Sequence, residues 1–300
     1  MPPQPQSVHI ASRNSLLKLV DCLSRLDEKG VRDFFLEHPD FDADTVAYGH
    51  TACTAWGDRD GIFCSSGQTP LRAILRMAVS VKLFYKKANE LVHKEAPSTH
   101  SWLKMAHILI EKGANIHEPS LLSGVIEDVV HHEEMYYNKT EKDYKVKLKT
   151  RAFEVLNWFS TYQVAFNQNG YTRHNIFSLM MNASRATHDV LMYMLEKTEN
   201  QKECWHFKSR DGLKNLLWST LYYQKIETPA FQKIMNEQWS LEEWLEAQEN
   251  FEKLKLNLSE LSSEEKELKR IFLENKIEQV KLHQKLPKAK SKKLIQKNRI

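Results

Sequence analysis

Glycine is scarce in this chain, at nine among 300 residues. Sheet and barrel architectures spend glycine at tight turns, so the shortage points away from them. Cysteine is scarcer still. The four (Cys22, Cys53, Cys64, Cys204) fall at no framework spacing, which argues against a disulfide scaffold and suits reduced thiols. No apolar run approaches the roughly 18 residues that a membrane crossing needs. The opening MPPQPQSVHIASRNS lacks a basic stretch followed by an apolar one, so no ordinary secretory signal is expected. The glycine-rich cradles G-x-x-x-x-G-K-[ST] and G-x-G-x-x-G are missing, and with them the standard backbone sites for phosphate. A strong charge excess is missing too. The net +4 is small for this length, but Lys281–Ile300 gathers eight Lys or Arg and no Asp or Glu.

What is present is helical periodicity. Leu16, Leu19, Val20 and Leu23 lie at i, i+3, i+4 and i+7, and Val31, Phe34 and Phe35 continue the stripe beyond Gly30. Pro39 ends that second helix because it lacks a backbone N–H and restricts His38. Residues 42–66 lose the period and mix Tyr48, His50, Cys53, Trp56, Cys64 and glycines, which predicts a long inserted loop. Thr69-Pro70-Leu71 then opens a helix, with the Thr hydroxyl as cap and Pro in the first turn. Leu71, Ile74, Leu75 and Ala78 form its stripe. Met105 to His117, MAHILIEKGANIH, is a second helix that stops at Gly113 and leaves extended.

Further stripes follow at Leu121, Leu122, Val125, Ile126 and Val129, and at Phe153, Val155, Leu156 and Phe159. Ile176, Phe177 and Met180 then pair with Val190, Leu191, Met194 and Leu195. Leu216, Leu217 and Leu221 pair with Phe231, Ile234 and Met235. Near the end, Ser240 with Glu243 and Ser262 with Glu265 form capping boxes, which predict two further helices.

The motifs Gly67-Gln68-Thr69-Pro70-Leu71 and MAHILIEKGANIH resemble the two ends of an ankyrin repeat, and Asn167–Leu195 carries a fainter copy. The resemblance implies an all-α fold: an ankyrin-like α-solenoid of four to five helix pairs with insertions and a helical C-terminal extension. The family turn Thr-Pro-Leu-His-x-Ala is altered, with Arg72 in place of histidine and Ile74 in place of alanine. Thr69 lies 44 residues before Gly113 against a family spacing of about 21. About 23 extra residues are therefore expected between them, as longer helices plus a loop around Lys94 to His100. The expected organisation is a disordered 1–13, a divergent repeat domain 14–236, a helical cap 237–286 and a basic tail 287–300. The basic tail also resembles the ends of type IV secreted effectors of intracellular bacteria. That likeness implies a protein acting in a host cytoplasm or nucleus, and without it the expected location is cytoplasmic.

The resemblance further implies a non-enzymatic module that binds a protein partner through its concave face and hairpin tips. The tip positions are His117, Glu118, Asn167, Gln168, Asn169, Tyr171, Arg210 and Asp211. No cofactor is expected. The rival is an enzyme or zinc-dependent module sited in 42–66, with His50, Cys53 and Cys64 as ligands. Zinc wants four converging donors, and only His50-x-x-Cys53 is closely spaced. His131-His132 does not match a zincin, because adjacent histidines point about 100° apart on a helix. The basic residues of 281–300 suit a weak contact with an anionic surface or a nuclear-import contact, and no aromatic there favours base stacking.

Overall fold

The computed structural model describes residues 15–16, 18–45, 69–87, 90–136, 142–166, 177, 185–198, 205–206, 216–253 and 262–285. Among these the chain is predominantly helical, as the periodicity predicts. Its contacts divide it into two units, Met1–Cys204 and Trp205–Ile300.

In the first unit a helical stretch over 18–24 precedes α1 (Glu28–Glu37). Asp27 caps α1 by accepting the Gly30 N–H at 2.9 Å, and Val31, Phe34 and Phe35 are buried. Helix α2 (Pro70–Val79) starts as expected, with Thr69 Oγ1 accepting the Arg72 N–H at 3.2 Å. All of α2 but Arg76 is buried, so it forms the middle of the unit. Helices α3 (Thr99–Glu111), α4 (Pro119–Tyr136), α5 (Lys142–Thr161) and α6 (Arg185–Lys197) follow. Helix α1 packs on α3, α3 on α5 and α5 on α6, while α2 packs on α3, α4 and α5. Helix α4 lies against α5 and α6.

The segment between Thr69 and Gly113 differs from expectation. The extra residues do not lengthen the helices; they form an antiparallel hairpin of β1 (Lys82–Lys87) and β2 (Glu90–Glu95). The register pairs Lys82 with Glu95 and Lys87 with Glu90. The loop placed around Lys94 to His100 shrinks to three residues, because β2 runs to Glu95 and α3 begins at Thr99. A ladder closes its hydrogen bonds with few residues, whereas longer helices would have needed more buried surface to hold them.

The second unit holds α7 (Leu216–Tyr223), α8 (Pro229–Met235), α9 (Leu241–Lys253) and α10 (Ser263–Lys285). Thr228 and Pro229 start α8 as Thr69 and Pro70 start α2, with Thr228 Oγ1 accepting the Phe231 N–H at 3.3 Å. The Ser240 box closes in both directions: the Ser240 N–H reaches Glu243 Oε2 at 2.9 Å and the Glu243 N–H reaches Ser240 Oγ at 3.2 Å. Helix α9 packs on α7 and α10, around Leu216, Leu217, Trp244, Phe251, Leu273 and Ile277. No helix among the described residues is long and apolar enough to cross a membrane.

Candidate interaction surface

Three helices of the first unit end in the same way. After α3, Gly113 takes φ +100° and its N–H donates to Ile110 O, while the Ala114 N–H reaches back to Leu109 O. Leu26 and Gln163 occupy the matching left-handed position at φ 56°, with the same bonds one turn back. This closure satisfies the last carbonyls and sends the chain away from the helix. Behind it Ala114 and Ile116 are buried, while Asn115 and His117 are exposed.

The tip after α3 is joined to the segment after α1. Both carboxylate oxygens of Asp44 accept the Asn115 N–H at 3.1 Å, and Asn115 Oδ1 accepts the His117 N–H at 3.0 Å. Burial pushes the Asp44 carboxyl above its ordinary range, against the Asn115 N–H and with Asp42 and Glu118 adding to the rise. Of the expected tip residues, His117 stands exposed here and Glu118 half-buried beside the same carboxylates. Asn167, Gln168, Asn169, Tyr171, Arg210 and Asp211 lie outside the described residues, as do His50, Cys53 and Cys64. Among the described residues no group of three or more His, Cys, Asp or Glu is placed to hold a metal ion.

A polar chain crosses α1, α3 and the end of α5. Arg32 donates to Glu111 at 2.8 Å, Glu111 lies 3.2 Å from His107 Nε2, and the Tyr162 hydroxyl meets His107 Nδ1 at 2.5 Å. One proton arrangement serves both contacts: Nε2–H donates to Glu111 and Nδ1 accepts the Tyr162 O–H. The Arg32 hydrogen bond holds Glu111 below the ordinary carboxylate range. Burial, with Glu111, pushes the Tyr162 phenol up, which is the reverse of what activating it would need. The chain of contacts joins three elements of the unit.

Inside, Arg72 occupies the position where the resembled family carries histidine. Its Nη1 lies 2.5 Å from Asp128 Oδ2 on α4, and Arg76 Nε lies 3.5 Å from Asp128 Oδ1. The guanidinium crosses α4 at Gly124, where a Cβ would come within 2.2 Å of Arg72 Nε. Burial raises the half-buried Glu127 carboxyl beside it, with Arg72 opposing and Asp128 adding. Glycine at 124 and arginine at 72 are thus two halves of one contact.

The hairpin is fastened at its root. Arg151 Nη1 donates to Pro97 O at 2.8 Å and Nη2 to Ala96 O at 2.9 Å, while Lys147 pairs with Glu95 at 2.6 Å. Thr99 Oγ1 donates to Ala78 O across the base at 3.2 Å. In the second unit His206 Nδ1 lies 2.5 Å from Glu243 Oε1, with the His206 ring 4.4 Å from the Trp239 ring. Burial would raise Glu243, but the His206 and Ser240 hydrogen bonds outweigh it and hold the carboxyl low. Ser240 and His206 both turn to the carboxylate, so the three do not form a nucleophile–base pair.

Arg151, His107 and Tyr162 were not singled out from the sequence, since their partners lie about 55 residues away along it. Compared with family models, with curated proteins and with solved structures, the chain matches none.

Proposed function

We propose that this chain is a non-enzymatic interaction protein built of divergent ankyrin-like units, which presents its tips to a protein partner. The observation that carries this reading is the recurring unit. Three helices close on a left-handed residue with the same pair of backbone bonds, and the exit after one of them is tied to the segment after α1 through Asp44 and Asn115. Consecutive packing of α1, α3, α5 and α6 supports the same reading, since each repeat of a stacked array contacts its neighbours. A tip fixed by backbone bonds offers side chains with little ordering cost on binding.

Proximity labelling in cells tests it, comparing the full chain with a His117→Ala/Glu118→Ala variant and with Glu278→Ala at an exposed position of α10. A set of neighbours lost from the tip variant and kept by the control is the expected outcome. Identical sets for all three would remove the reading. That the chain acts inside a host cell as a secreted effector rests on the resemblance alone. A translocation reporter fused to the chain checks that step, and no signal in host cytosol would end it.

A further inference from the structure

Helix α10 carries two apolar faces, where a surface helix normally carries one. Its inner face is occupied. Lys269, Leu273 and Ile277 are buried, helix α9 packs on this helix, and the Phe272 ring lies 5.4 Å from Phe231 of α8. On the opposite side Leu268, Ile271, Asn275, Glu278 and Leu282 all stand exposed. Steps of three and four residues alternate between them, so they form one row along the helix, the a and d positions of a heptad. Leu268 is 52% exposed, Ile271 43% and Leu282 60%. No other described helix exposes more than one large apolar side chain.

The charges in and beside the row decide what fits it. A parallel copy of α10 would set Glu278 against Glu278 inside the seam, which opposes that arrangement. A reversed copy, centred between Asn275 and Glu278, sets Ile271 against Leu282, Asn275 against Glu278 and Leu268 against Lys285 at the ends. Two-fold symmetry makes each of these contacts twice. Flanking charges set orientation in such pairs. Arg270 already bridges Glu267 and Glu274 on its own helix, so Glu274 has a shared cation. In the reversed pair the exposed Lys281 of the other copy comes alongside Glu274 and adds a second one. Phe272 and Gln279, on the other flank, bring no charge.

We propose that α10 pairs antiparallel with α10 of a second copy of this chain, through Leu268, Ile271, Asn275 and Leu282. The inference goes beyond the reading of the tips and does not rest on it.

The test is the mass of the full chain in solution, measured by light scattering over a concentration series. A monomer–dimer equilibrium is expected. Leu282→Glu puts a charge into the seam at two symmetric places and should weaken pairing about a hundredfold or more. Its circular dichroism should match the wild type, since this side chain is exposed in the single copy. Lys281→Glu or Glu274→Lys alone sets like charges together and should weaken pairing about tenfold. Mixed in equal amounts, these two variants should pair with each other, because each supplies the charge the other lacks. Glu278→Ala takes the one charge out of the row, so it should tighten the pair while leaving the tips untouched.

A wild-type chain that stays monomeric throughout would overturn the proposal and leave the row to a helix of another protein. Dimers that persist in Leu282→Glu would overturn it too, as would charge variants that ignore each other in the mixture. Tip-dependent neighbours in cells are read separately from the mass, so either reading can fall alone.

Discussion

Two buried charge pairs, one in each unit, show how differently the same kind of contact can sit in a fold. Arg72 and Asp128 join two helices, their side chains about one-tenth exposed, with Arg76 as a second cation on the same carboxylate. A glycine clears the space for them. Lys269 and Glu265 lie on one helix, 3.3 Å apart at i, i+4, and the Lys269 side chain has no exposure. Among the described residues Glu265 is the one ion-pair partner of the ammonium; in both pairs the facing charged atoms meet without a well-aligned hydrogen bond. Burial therefore pulls the Lys269 amine below the ordinary lysine value, with Glu265 and then Glu227 opposing only in part. The first pair joins two helices, and its carboxylate is shared between two cations. The second is a desolvated amine that a hydrocarbon could replace.

That contrast breaks most visibly at Asp128. Asp128→Ala strands two guanidiniums, one of them buried, and should cost the first unit about 3–5 kcal/mol in denaturant unfolding. A loss under about 1 kcal/mol would mean that the arginines relax into solvent and that the pair is not structural. Gly124→Ala tests the other half of the contact. Its Cβ would overlap the guanidinium, so overpacking should cost about 1–3 kcal/mol, and Arg72→Met should remove most of that penalty.

Lys269→Met is expected to run the other way, stabilising the second unit by about 1–2 kcal/mol. Its pH dependence carries a sign. The folded amine holds its proton less tightly than the unfolded one, so the unfolded chain binds more protons below the ordinary value of 10.5. Wild-type stability should therefore rise as pH climbs toward that value, and Lys269→Met should flatten the rise. A wild-type curve that falls over this range would refute the assignment.

The smallest effects come from the matched helix ends. At Gly113 a Cβ would meet no atom within 4 Å, so Gly113→Ala isolates the left-handed backbone, at about 1 kcal/mol. Gln163→Gly should return less than about 1 kcal/mol, because glycine's own chain entropy offsets the relief. Opposite signs in the two measurements would confirm that the two ends share one geometry.

Much of this was legible beforehand where the signal is local. The stripes at Leu16–Leu23, Val31–Phe35, Leu71–Ala78 and Leu121–Val129 are buried as their spacing predicts. Thr69, Gly113 and the Ser240–Glu243 box act within three or four residues of themselves, so a reading of short windows finds them. Thr228-Pro229 repeats the Thr69-Pro70 chemistry and was readable by the same rule. The hairpin was not. KLFYKKANELVHKE has no strict alternation, and it lacks the Asn-Gly pair that is the strong hairpin signal.

The partners of Arg72 and Arg151 were equally out of reach, since each contact closes only after helices distant in sequence have packed. Arg72 looked like a lost histidine, and its sense comes from Gly124 and Asp128 on another helix. At the candidate surface, the exposed His117 followed from the extended exit after Gly113. The tie to Asp44 did not, because that carboxylate lies 71 residues upstream.

The clamp at the hairpin root has a mechanical consequence. Swinging the arm about its base would break both bonds from Arg151 to the Ala96 and Pro97 carbonyls. Hydrogen bonds from a charged group are worth about 1.5–3 kcal/mol each, several times the thermal energy, so the arm keeps its bearing on α5. A load applied at the far end would travel through the root into that helix, and the hairpin would act as a lever and not as a tether.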